Sequence, residues 1–425
     1  MKKIDMATVP DDIHHNRHKY ENCKKNIAKW FSKDNSQITL DFLETLRSRT
    51  SLKYSRLTIY ANQAIALLKI KDDRPIKEWN RKDIEKIIST LKDSSYSSET
   101  KILMAIALKK LVHYAKHNEI IDKNNNADMD YDSVVYWVRP TMFKDNHEKI
   151  QPKDLLTDEE MLKLIEASKK IGGRYIKRNI ASIYVLFDGA FRPAELLNIK
   201  IGNIEFSEDH YKVYTYGKTG PKTLTLVTSM IPVKEWLAEH PKADDSSSYL
   251  FYHNNQEGRM SYPYLRKLIK NLQVESGIKK RIWAYLFRHS AITEYIRLLK
   301  SPQLVKRYGN WSKNSNMINR YEHLADSDQE DAILKLHGLK KEEGGKVSML
   351  FSKICPSCKE RNSADKSHCV KCGEIISKKL AQERESGKQD DMKKLEKRFG
   401  SAITELQEAI LEQQRKFEEI LREKN

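Results

Sequence analysis

Long apolar runs are missing from this chain of 425 residues. Its richest stretch, IASIYVLF at 180–187, stops at Asp188, well short of the ~18–20 residues needed to span a bilayer. The opening residues, MKKIDMATVPDDIHH, hold no apolar segment of the secretory kind, so a cytoplasmic location is expected. Cysteine is scarce: there are five, one isolated at Cys23 and four crowded between 355 and 372. That distribution argues against a secreted disulfide framework and for a metal site. Acidic charge is in deficit, with 59 Asp+Glu against 77 Lys+Arg, a net +18 and a pI near 9.3. Such a field draws polyanions, nucleic acid first and anionic membrane second. The hydrophobic share of 39% is too high for wholesale disorder. At roughly 100–200 residues per domain, the length predicts two or three domains.

Residues 1–20 are polar and His-rich and read as a flexible arm. Over 21–118 the apolar residues recur at three/four spacing. Segments 38–49, 56–70, 82–93 and 99–117 predict four helices with basic outer faces. Residues 119–154 are rich in Asn, Asp and Pro and read as a linker. A new domain opens at LLTDEEMLKLIEAS, where Thr157 and Glu160 make a capping-box pattern. It runs over 155–340 as an α+β unit. A buried helix is expected at 180–191, then a helix with Pro193 at its first position. YKVYTYG and TLTLVTS, around KTGPK, predict a β-hairpin.

Four pieces of this domain stand out together. AFRPAELLNI supplies Arg192 and Glu195. The hairpin supplies Lys218 and Lys222. AYLFRHSAIT supplies Tyr285, Arg288 and His289, and YGNWSKNSNMINRYEHL supplies Trp311 and Tyr321. In this order and spacing the chain resembles the tyrosine recombinases (the phage-integrase family), and among them the archaeal integrases. The family pattern is Arg in a G-x-R-x-x-E-L-like turn, Lys on a hairpin, a His-x-x-Arg helix, His or Trp, then Tyr about ten residues on. Tyr285 stands where the pattern has its first His, and Trp311 where many relatives carry His. The resemblance implies a multidomain, mainly α protein: a helical SAM-like core-binding domain over 21–118 and an α+β catalytic domain that together close on double-stranded DNA. It also implies homo-oligomers on paired recombination sites.

The residue types suit that chemistry. A Tyr hydroxyl can attack phosphorus and store the bond as a 3′-phosphotyrosine, releasing a 5′-hydroxyl. Two guanidiniums, Arg192 and Arg288, are planar, always charged and multiply donating, which suits the charge built on the non-bridging oxygens. A Lys can protonate the leaving oxygen if cationic neighbours lower its pKa. Lys218 follows the glycine that the family places before its lysine; Lys222 is the alternative. Tyr285 and Trp311 are candidate phosphate donors, and Tyr321 is the candidate nucleophile. Glu195 and His289 read as structural partners. No metal is needed for this scheme. The rival readings are a DNA-binding regulator with impaired catalysis and a type IB topoisomerase-like relaxase.

Residues 346–376 contain Cys355, Cys358, Cys369 and Cys372, two CxxC turns ten residues apart. Each turn aims two thiolates at one centre, and four thiolates make a closed tetrahedral site for a structural zinc, a zinc ribbon. In the helical tail, 377–425, Phe399, Ile403, Leu406, Ile410, Gln413, Phe417 and Ile420 alternate four and three apart. That is a coiled-coil seam of about three heptads. Short zinc ribbons of this kind serve either nucleic-acid or protein contacts.

Overall fold

The computed structural model describes residues 12–121, 130–144, 150–217, 220–299, 301–319, 321, 350 and 352–423. They divide into two compact units between Gln151 and Pro152.

The long helices of the first unit, among the described residues, are α1 (Asn16–Trp30), α2 (Lys33–Arg49), α3 (Tyr54–Ile70), α4 (Arg81–Asp93) and α5 (Ser98–His117). The last four take up the segments whose periodicity predicts helix. α5 shows why: Met104, Leu108, Leu111 and Ala115 recur at three/four spacing and are all buried. α4 opens on a capping box between Asn80 and Asp83. α1 differs from expectation, since it begins inside the segment read as an arm. Tyr20, Cys23 and Ile27 recur three and four apart on it and are buried; the His and Lys between them mask that stripe. Residues 1–11 lie outside the described residues. Part of the expected linker also has core contacts: Val135, Val138 and Phe143 enter the apolar cluster of this unit.

The second unit packs helices around a small sheet. α7 (Asp158–Ile171) follows the short helix α6 (Ser133–Tyr136) in chain order and starts on the expected box. Its Glu160 N–H donates to Thr157 Oγ1 at 3.2 Å, and the Thr157 N–H donates to Glu160 Oε2 at 3.0 Å. α8 (Ile176–Asp188) is the central helix, with Ile180–Leu186 buried without a break. α9 (Pro193–Leu197), α10 (Met230–Leu237), α11 (Tyr262–Ser276), α12 (Ala284–Leu299) and α13 (Pro302–Tyr308) complete it. The sheet has three antiparallel strands rather than the two of the expected hairpin: β1 (Ile204–Phe206), β2 (Tyr211–Gly217) and β3 (Gly220–Leu226), in that order. β1, three residues long, is too short to show an alternation in sequence. In the register Tyr211↔Leu226, Val213↔Leu224 and Thr215↔Lys222, these six side chains share the buried face. Lys222 therefore holds an inward position in line with two leucines.

The cysteine segment carries a two-stranded ladder, β4 (Lys353–Ile354) with β5 (Arg361–Asn362). It packs on the helices of its unit through Lys169 Nζ–Asp365 Oδ2, at 2.7 Å with Asp365 buried, and through Lys366 Nζ–Glu235 Oε1 at 3.3 Å. The tail is one helix, Lys378–Glu423. Among the described residues no helix is long and apolar enough to cross a membrane.

Candidate active site

The turn joining α8 to α9 places Arg192. It is pinned from four sides at Asp188. The Asp188 carboxylate accepts from the Ser229 N–H at 2.8 Å and the Ser229 hydroxyl at 2.6 Å. Its carbonyl accepts the hydroxyls of Tyr295 and Tyr308, each at 2.6 Å. Burial raises the Asp188 carboxyl to about 6, against the pull of these donors. Beyond Asp188 the chain takes a tight path. A Cβ on Gly189 would lie 2.1 Å from Cε2 of Phe191, and Ala190 sits in the left-handed region at φ 45°, a conformation that costs a non-glycine residue. We expect Gly189→Ala to destabilise the protein by about 1–3 kcal/mol, as overpacking does, seen as a lower denaturant midpoint.

This turn and α12 are tied together. Arg288, buried on α12, donates from Nη1 to the Ala190 carbonyl at 2.6 Å and from Nη2 to the Gly309 carbonyl at 2.5 Å. Gly309 also packs closely on Trp311: a Cβ there would lie 3.0 Å from the ring. Burial, then the charge of Arg192, pulls the Arg288 pKa below its ordinary value. Arg192 is one-fifth exposed and donates from Nη1 to Glu195 Oε1 at 2.6 Å. Its backbone N–H donates to Glu195 Oε2 at 3.1 Å. Glu195 is buried, and Lys222 Nζ comes within 3.8 Å of the same Oε2.

Lys222 is the residue whose place the spacing alone does not reveal. Its ammonium is buried over the Phe191 ring, 5.1 Å from the centroid, and makes no hydrogen bond among the described residues. Burial lowers its pKa to about 7; Glu195 opposes that, while Arg288 and Arg192 add to it. The sequence does carry a signal. In KTLTL the lysine shares the alternation of Leu224 and Leu226, which puts it inward whichever turn joins the strands. Lys218 lies outside the described residues.

On the other side of Arg288, Trp311 and Tyr321 are both buried and stack with centroids 5.6 Å apart. Arg288 lies 5.6 Å from the centroid of the Trp311 ring. The Tyr321 hydroxyl is 3.0 Å from His289 Nδ1. The indole Nε1 of Trp311 is buried and without a hydrogen-bond partner among the described residues, a donor left over for a ligand oxygen. Tyr285, one turn before His289 on α12, is 41% exposed. Desolvation raises its hydroxyl pKa while the Arg192 charge pulls it down. Arg192, Tyr285, Arg288, Trp311 and Tyr321 therefore form one electrostatically connected group with Glu195 and Lys222.

The four thiols form a separate cluster. The Sγ atoms of Cys355, Cys358, Cys369 and Cys372 all lie within 4.8 Å of one another. The two CxxC turns repeat each other. The Cys355 N–H donates to the Glu360 carbonyl at 2.9 Å, and the Cys369 N–H to the Glu374 carbonyl at 2.8 Å. Lys359 at φ 61° and Gly373 at φ 75° occupy matching left-handed positions. Four convergent sulfurs can hold a metal ion.

Residues 154–328 match the phage integrase family. The chain is 28% identical over 159 residues to a tyrosine recombinase of Synechocystis sp., covering 35% of this chain and 50% of that protein. It is 27% identical over 176 residues to a probable integrase/recombinase protein of Methanocaldococcus jannaschii, covering 39% and 52%. The chain thus spans about half the length of these curated relatives. Among solved structures, the XerH site-specific recombinase bound to a palindromic difH substrate superposes with a TM-score of 0.53 at 18% identity, covering 78% of this chain and 99% of that one. The Tn1549 transposon integrase in complex with transposon right end DNA gives 0.52 at 15%, covering 71% and 99%. These likenesses establish the fold. Arg192, Arg288 and Tyr321 all lie inside the span, residues 154–328, that matches the phage integrase family.

Proposed function

We propose that this protein is a site-specific DNA recombinase or integrase that cuts and rejoins strands through a 3′-phosphotyrosyl intermediate. The observation that carries the reading is the grouping of Tyr321 with His289, Trp311 and Arg288 on one side and of Arg192 with Glu195 on the other. Tyr321 is the nucleophile, and His289 is placed to receive its proton. Arg192 and Arg288 meet the negative charge on the phosphorane, with the free Trp311 N–H as a further donor. Tyr285 stands at the exposed edge of the group, where it can hydrogen-bond a phosphate. The net charge of +18 supplies affinity for double-stranded DNA, and that affinity should fall steeply with salt. Chains act as homo-oligomers on paired sites.

Lys218 is the proton donor to the leaving 5′-oxygen, as the family likeness implies. A second reading rests on one observation: Lys222 has its pKa lowered to about 7, where a general acid works best. Its burial behind Glu195 favours a positioning role instead. Lys222 shares the carboxylate that holds Arg192.

Trapping the adduct on a nicked suicide substrate tests the reading. Peptide mapping should find DNA on Tyr321; absence of any adduct would overturn the reaction class.

In the thiol cluster the metal is zinc, held by Cys355, Cys358, Cys369 and Cys372 and structural in role. Purified protein should contain one zinc per chain by elemental analysis. Cys355→Ser with Cys358→Ser should lose it. Because Asp365 and Lys366 bridge to α7 and α10, that loss should also raise hydrogen exchange in Asp158–Ile171 and Met230–Leu237.

A further inference from the structure

The tail helix has 46 residues, a length of ~69 Å at 1.5 Å per residue. Among the described side chains, Leu395, Phe399, Ile403, Leu406 and Ile410 are each more than half exposed. Four of them, at 399, 403, 406 and 410, alternate four and three apart, and the sequence continues the alternation to Ile420. A helix lying on a globular body needs only a stripe of period 3.6. A repeat of 3.5 keeps one seam turned toward a neighbour that is itself a helix of the same period. This same helix in a second chain is a neighbour with that period.

Charge decides the direction. Residues 378–398 hold eight Lys or Arg and five Asp or Glu, a net +3; residues 399–423 hold three and six, a net −3. Side by side and parallel, two copies would set like charge against like; antiparallel and centred between residues 404 and 405, residues 386–398, net +2, lie against the partner's 411–423, net −1. The core agrees. An antiparallel register that sets Ile403 against the partner's Leu406 also sets Phe399 against the partner's Ile410. It brings Glu396 opposite the partner's Gln413, so the two polar residues on the seam meet each other. Ala402 and Ala409 flank the seam and are small enough to let the backbones approach. We infer that the tail helix is a self-association element, pairing antiparallel with the tail of a second copy. A two-fold axis relates the copies, so the contact closes at two chains.

The pairing needs no DNA and no strand cleavage, so its test is separate from that of the proposed reaction. Sedimentation equilibrium of the full chain without DNA, at micromolar concentration, should give twice the chain mass of 49.7 kDa. Ile403→Glu with Ile410→Glu should return it to the mass of one chain, with the adduct-forming half-reaction unchanged. Direction is read by oxidative cross-linking. A mixture of Ala402→Cys chains and Ala409→Cys chains should link several-fold more than either alone. Wild-type protein at the mass of one chain would overturn the inference, as would a double variant that remains at twice that mass. Stronger self-linking of Ile410→Cys, whose two copies lie eleven residues (~16 Å) apart along the antiparallel pair, than of the Ala402→Cys and Ala409→Cys mixture would overturn the antiparallel direction.

Discussion

Tyr321→Phe is expected to abolish the covalent protein–DNA adduct while DNA affinity stays within a few-fold. The change removes one oxygen and keeps the ring that stacks on Trp311. The cost in stability is that of the hydroxyl's hydrogen bonding, which includes the contact with His289 Nδ1 at 3.0 Å, about 0.5–1.5 kcal/mol per bond. That is too little to unfold a domain whose core is otherwise intact. Loss of adduct with binding retained would therefore report on chemistry and not on folding. An undiminished adduct in this variant would move the nucleophile to another residue.

The two hairpin lysines are separated by changing the leaving group. With an ordinary phosphodiester, Lys218→Ala should slow cleavage by about 10²–10⁴, the usual contribution of a general acid. A 5′-bridging phosphorothiolate leaves as a thiolate and needs no proton, so it should restore most of that loss. Lys222→Ala should be slow with oxygen and sulfur alike, because its effect passes through Glu195 and Arg192. The pH dependence follows with a definite sign. Lys222 gives up its proton as pH rises through about 7. Above that, Glu195 faces one cation fewer and neutralises Arg192 more fully. Cleavage of the sulfur substrate should decline above pH 7 in the wild type and stay flat in Lys222→Ala. Rescue of Lys222→Ala by sulfur would instead make Lys222 the proton donor.

The sequence by itself determined the helical character of the first unit, the start of α7 and the metal-binding pattern. Each rests on short-range spacing: apolar residues every three or four positions, Thr157 three before Glu160, and two CxxC turns. It also carried the resemblance to the tyrosine recombinases, because Arg192, Arg288, Trp311 and Tyr321 fall in the order that family shows, and the match over 154–328 spans all four. Short-range spacing ran out where the contact was distant in the chain. α1 hid behind interleaved His and Lys, although Tyr20, Cys23 and Ile27 are buried. Val135, Val138 and Phe143 looked like linker residues because the core that takes them lies in other helices.

What only the tertiary structure decided is how the candidate site residues are held. Asp188 anchors the Arg192 turn through Ser229, Tyr295 and Tyr308, residues 41 to 120 positions away. Arg288 joins two turns through the carbonyls of Ala190 and Gly309, 98 and 21 positions distant. Backbone carbonyls carry no residue identity, so no motif could announce these bonds. The burial of Lys222 is a middle case. Its inward phase is written in the alternation with Leu224 and Leu226, but its pKa depends on Glu195, Arg192 and Arg288 converging on it. Electrostatic energy depends on distance through space and on exclusion of water, and the folded chain alone supplies both.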